Sequence, residues 1–190
     1  MENQKKVEAQ SIFHKYKAQL AKEFLEIEKN NLLTSDEKVT KIITTTSILC
    51  AAVAIQPIPF ADIFILTPIQ AFMGHKIAQV RGINLKEESV KEVIKYIGGV
   101  IGGGFAAQQT AIGLYKIGLP GIGGLMTIPL VAGLTFGLGK AIDLYFIEKA
   151  KGREPSKSDI INAFKLGKKT GKNISNDDVK KQMEDLNDKG

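Results

Sequence analysis

Tryptophan is absent from this chain of 190 residues, cysteine occurs once and histidine twice. The lone Cys50 excludes an intrachain disulfide and a cysteine metal cluster, and its apolar neighbours make it an inert buried thiol. His14 and His75 stand far apart, without the spacing of metal ligands. Aromatic residues make up 7% and lie mostly inside apolar runs, so the stacking platforms of a nucleic-acid binder are missing. The formal charge of +6 is spread thinly. Residues 1–41 carry eight basic and seven acidic groups, and residues 140–190 carry twelve and nine. Nucleic acid is therefore not an expected partner. The opening MENQKKVEAQSIFHKYK has no apolar core or cleavage site of the kind a signal peptide requires.

Charge is missing from two long stretches. Between Ile42 and His75 the one charge is Asp62, and between Ile97 and Gly139 it is Lys116. Such segregation excludes overall disorder and a uniformly amphipathic bundle. What remains is an all-α chain in three parts: an amphipathic N-terminal helix (1–35), a helical domain (36–151) with a Gly-rich apolar hairpin (97–139), and a polar C-terminal tail with short helices (152–190).

Phe13, Tyr16, Leu20, Phe24 and Ile27 recur at helical spacing and predict one apolar stripe over a helix at 3–29. It packs either on the body of the protein or on a partner helix. Thr34 and Glu37 form a capping-box pair that starts the next helix, which stops near Pro57. Pro57-Ile58-Pro59 makes a rigid corner. A helix over about 60–80 follows, kinked by Pro68 and closed by Gly82 in a left-handed cap. Asn84 and Glu87 predict the start of another helix, running on through Gly98, Gly99, Gly102, Gly103 and Gly104. Five glycines in one helix cost roughly 1 kcal/mol each relative to alanine. Close helix–helix approach compensates, and Gly98/Gly102, Gly99/Gly103 and Gly133/Gly137 have small-xxx-small spacing. The expectation is that 97–115 and 117–139 pack glycine face to glycine face, within one chain or between the chains of a homo-oligomer. A turn centred on Pro120 and Gly121 joins them. Beyond Gly152, Ser156 or Ser158 caps a short helix, another covers about 177–186, and GKKTGKNISN between them reads as a mobile linker.

A spanning helix needs about 20 apolar residues, so 97–139 is long enough for a membrane hairpin. Lys91 and Lys95 before it and Lys140, Lys149, Lys151 and Arg153 after it place both ends in the cytoplasm. A soluble, tightly packed bundle is the alternative.

The segment AAVAIQPIPFADIFILTPIQAFMGHKIAQVRGI (51–83) resembles the bacterial GTPase-associated domain of unknown function, the YcjF-like family. Pro57, Pro59, Asp62, Leu66, Gln70, Met73 and Gly82 match its pattern, while Arg81 replaces the usual Tyr and Pro68 is an insertion into the helix. LPGIGGLMTIPLVAGLTFGLGKAIDLYF (119–146), with Pro120 and Gly121, is similar to the family's Pro-Gly turn and final helix. The resemblance implies a helical domain at the bacterial inner membrane, an association with GTPases and no established chemistry. Physically, Asp62, Leu66, Gln70 and Met73 share one helix face. Asp62 reads as a capping acid, with a proton-handling role as the sharper alternative.

Motifs of catalysis are not visible. GLTFGLGKA (133–141) departs from a P-loop in spacing and has Ala141 where Ser or Thr would hold magnesium. No nucleophile and base stand at short spacing, so no enzyme, cofactor or metal is expected. The leading expectation is a non-catalytic, membrane-associated accessory protein contacting lipid and a GTPase or other cytoplasmic partner. A conditional membrane-inserting or pore-forming protein and a cytoplasmic helical scaffold are the alternatives.

Overall fold

The computed structural model describes residues 2–55, 65–102 and 123–188. These residues form helices and no strand: α1 (Glu2–Lys29), α2 (Ser35–Ile55), α3 (Thr67–Val80), α4 (Glu87–Ile101), α5 (Gly123–Ala150), α6 (Lys157–Gly171) and α7 (Asn176–Asp188). The chain is all-α there, as its periodicity predicts.

The α1 stripe lies against α2 and α3 of the same chain. Tyr16, Leu20 and Phe24 are buried, with Phe13 and Ile27 packed at the edge. Burial of each such side chain contributes about 1.5–3 kcal/mol. Phe24 stacks on Phe72 of α3 with ring centres 5.6 Å apart.

α2 begins with the expected capping box. The Thr34 N–H donates to Glu37 Oε2 at 2.8 Å, and the Glu37 N–H donates back to Thr34 Oγ1 at 3.3 Å. Further along, buried hydroxyls return to the preceding turn: Thr46 donates to the Ile42 carbonyl and Ser47 to that of Ile43, each at 2.8 Å. These bonds let polar residues sit in an apolar helix without an unsatisfied donor.

Pro68 falls in the first turn of α3, preceded by a π-helical turn at Ile65 and Leu66, and the expected start of this helix near 60 lies outside the described residues. At the other end Gly82 has φ +75°. The Ile83 N–H reaches the Ala78 carbonyl at 2.8 Å and the Gly82 N–H reaches that of Gln79 at 3.0 Å, a Schellman closure.

α4 departs from expectation at both ends. Its N-cap is Lys86 in extended conformation, without a side-chain cap, and not Asn84. Ile83 and Leu85, on either side of Asn84, pack against the core, and residues 83–86 are not helical. α4 ends at Ile101, because Gly102 takes φ +90°. A glycine expected inside a helix thus terminates one.

α5 runs antiparallel to α2 and parallel to α3. Its Gly139 lies on Ile43 and its Lys140 Nζ is 3.3 Å from Thr40 Oγ1. Its Thr135 receives the Gln70 amide at 3.2 Å, and its Asp143 meets Arg81 at the far end of α3. α2 and α5 form the centre of the bundle.

The C-terminal segment is not a tail. Ser156 caps α6 by accepting the Asp159 N–H at 3.1 Å. α6 lies along α5 in the most extensive helix pairing of the fold, and α7 packs on α2 with Val179 buried. The expected mobile linker is largely helix. Gly167 and Gly171, four residues apart, turn a backbone face to α5 and hold the segment in place.

Candidate functional site

The bundle has two chemically different ends. One gathers the start of α2, the end of α3 and the second half of α5. There Arg81 donates from Nε to Asp143 Oδ1 at 2.7 Å and from Nη2 to Oδ2 at 3.0 Å, while its Nη1 lies 2.7 Å from Asp36. Burial disfavours the Arg81 charge, but the bonds to Asp143 and Asp36 outweigh it and hold the guanidinium more firmly protonated than usual. Lys76 pairs with Glu28 at 2.9 Å, and Lys38 donates to the Glu28 carbonyl at 2.8 Å. A groove of about 620 Å³ opens beside them, lined by Glu28, Lys38, Lys76 and Gly82.

The opposite end gathers the C-terminus of α2, the N-termini of α3 and α5 and the last turn of α6. Gly171 lies against Ala132 and Gly133 there. The chain leaves this end at Ile55 and re-enters at Ile65, and α5 begins there at Gly123. The intervening stretches 56–64 and 103–122 contain only Asp62 and Lys116 as charges. One end is thus built from ion pairs, and the other adjoins two stretches that carry a single charge each.

Between the ends the interior is apolar with few polar contacts. Gln70 donates from Nε2 to Thr135 Oγ1, and Met73 is fully buried in the core. Cys50 shares the Thr135 hydroxyl, and burial pushes its thiol up to about 12. Beside α4 a smaller groove of about 430 Å³ is lined by Val93, Tyr96, Tyr145, Phe146 and Lys149. The Lys149 ammonium there lies 5.6 Å from the Tyr145 ring centre and pairs with Glu154. Among the described residues no group of His, Cys, Asp and Glu has the arrangement of a metal site.

The singled-out residues fall into three sets. Pro57, Pro59, Asp62, Gly103, Pro120 and Gly121 lie outside the described residues. Gln70, Met73 and Gly82 belong to the core and the α3 cap. The glycines divide: a Cβ on Gly98, Gly99 or Gly102 would meet no described atom within 4 Å. A Cβ on Gly133 would come within 2.9 Å of the Lys168 carbonyl, and one on Gly137 within 2.7 Å of that of Phe164. Gly133 and Gly137 therefore make close approach to α6, through Gly167 and Gly171, and not to Gly98 and Gly102. The reason is that Gly102 ends α4, whereas α6 presents glycines at the matching four-residue spacing. Local sequence does not reveal the roles of Arg81, Asp143 and Thr135, because the Gln70–Thr135 and Arg81–Asp143 pairs join positions more than sixty residues apart.

Among the described residues two helical stretches, Ser35–Ile55 and Ile128–Ala150, are long and apolar enough to cross a membrane. Within the bundle 61% of the apolar stretch of the first and 72% of that of the second are buried. Core helices of a soluble protein have the same character.

Compared with protein families, curated proteins and solved structures, the chain matches none.

Proposed function

We propose that the protein is a non-catalytic helical accessory protein that rests on a membrane by its apolar end and meets a cytoplasmic partner with its charged end. The observation that carries this reading is the division of the bundle into an ion-paired end and an end joined to stretches 56–64 and 103–122. α2 and α5 do not cross the bilayer in this arrangement. α6 covers α5 at Gly133 and Gly137 and brings Lys168 and Lys172 there, and hydrocarbon would strand those charges. The contact with lipid is therefore peripheral. The resemblance of 51–83 and 119–146 to the GTPase-associated family supports a GTPase as the partner and the bacterial inner membrane as the location.

Fractionation with washing tests the reading. The expected result is sedimentation with membranes, followed by release in alkaline carbonate. Full recovery in the high-speed supernatant, together with failure to float with vesicles, overturns it. Retention after carbonate would mean that the helices insert. A soluble helical scaffold is the second reading, favoured by the burial of α2 and α5, and the supernatant result would support it.

A further inference from the structure

We infer that the outward face of α6, formed by Lys165, Leu166 and Lys169 with Lys172 at its C-terminal end, is the surface that docks on anionic lipid. The inference rests on the peripheral-membrane reading and gives it a lipid class and an orientation.

From Ile160 to Asn176 the sequence holds four lysines and no acidic residue. Whole-segment charge counts conceal this, because Asp159 precedes the run and Asp177 and Asp178 follow it. Lys165 and Lys169 are four residues apart, so they line one side of the helix, opposite Gly167 and Gly171, and Lys172 follows as the exposed C-cap residue with its stem against Gly133. All three are exposed and none forms an ion pair among the described residues. Several lysines elsewhere in the bundle are paired: Lys76 with Glu28, Lys95 with Glu92, Lys149 with Glu154. On the flank, burial and then repulsion from Lys172 lower the Lys168 ammonium below its usual range.

Leu166 sits beside Lys169 on this face and is 70% exposed, one of few large apolar side chains left in solvent. An exposed leucine among lysines suits a headgroup layer, where ammonium groups meet phosphates and the apolar side chain enters the acyl boundary. Position completes the argument. The last turn of α6 lies beside Ala132 and Gly133, at the apolar end of the bundle, so the lysines flank the end already assigned to the membrane.

The test is flotation of the full chain with vesicles of phosphatidylcholine alone and of phosphatidylcholine with phosphatidylglycerol. Binding should rise with phosphatidylglycerol and fall with added salt. Each lysine near an anionic surface changes partitioning about five-fold, so K165Q/K169Q should lose roughly twenty-five-fold. L166Q should weaken binding on both vesicle types. K95Q removes one charge from α4 and should change nothing; circular dichroism and thermal unfolding confirm that the variants fold. If the wild type floats equally on both vesicles, or K165Q/K169Q floats like the wild type, the inference falls while the peripheral reading stands. If the wild type floats on neither, the peripheral reading falls and the inference with it.

Discussion

Gly137 and Gly167 face each other across the α5–α6 interface, so close that a Cβ on Gly167 would lie 3.0 Å from the Gly137 Cα. The contact is backbone against backbone, which a rotamer change cannot relieve. Gly137→Ala would put its methyl 2.7 Å from the Phe164 carbonyl, and Gly171→Ala would put one 2.7 Å from that of Ala132. Each should destabilise the fold by about 1–3 kcal/mol through overpacking. Gly98→Ala and Gly99→Ala, with no described atom within 4 Å, should gain up to about 1 kcal/mol of helix propensity. Urea midpoints of the four variants check the contrast. Equal midpoints would remove the packing argument.

Arg81 and Asp143 make a second long-range pair with an opposite logic. Their side chains are 12% and 9% exposed, so removing one leaves the other charge short of both water and partner. Asp143→Ala should cost about 3–5 kcal/mol, with Asp36 retaining part of the Arg81 charge compensation. Replacing both, as R81M/D143L, should recover much of that loss. A double-mutant cycle by chemical denaturation measures the coupling, and additive losses would show that the pair is not acting as a unit.

The Glu37 carboxylate gives a pH signature. The Thr34 backbone N–H, and then its hydroxyl, hold Glu37 below its ordinary value of 4.5. A depressed carboxylate contributes stability above its unfolded value and loses it as pH falls through its folded value. The stability gap between wild type and Glu37→Gln should therefore be full at neutral pH, begin to shrink near 4.5 and close below the folded value. Thermal unfolding across that range decides it, and a gap independent of pH would dissociate the charge from the cap.

Cys50 reports on opening of the core. With its thiol raised to about 12 and its side chain fully buried, it should be inert to a thiol reagent in the native protein at mildly alkaline pH. One equivalent should react on unfolding in urea. Rapid labelling without denaturant would mean that α2 and α5 separate readily.

Much of the fold can be read from local sequence because its causes are local. The Thr34–Glu37 box, the Gly82 closure, the Ser156 cap and the α1 stripe depend on residues within a few positions of one another. The start of α4 could not be read in this way. A capping pair at Asn84 and Glu87 is present, yet Ile83 and Leu85 gain more by packing on the core. The partner of the glycines was equally hidden. Four-residue spacing shows that Gly133 and Gly137 admit a close neighbour, but not which neighbour. Gly167 and Gly171 lay in a polar stretch that looked like a linker. The lysine face of α6 is hidden in a segment of mixed charge, and only the helix shows which side each lysine occupies.

The α5–α6 contact also has a history within each molecule's synthesis. Chains emerge N-terminus first at about 5–20 residues per second, so Gly133 and Gly137 precede Gly167 and Gly171 by roughly thirty residues, or a few seconds. Once Ala150 has emerged, α5 is complete but not yet covered by α6. To targeting factors and chaperones the nascent chain displays a bare apolar helix, a surface that the finished bundle conceals.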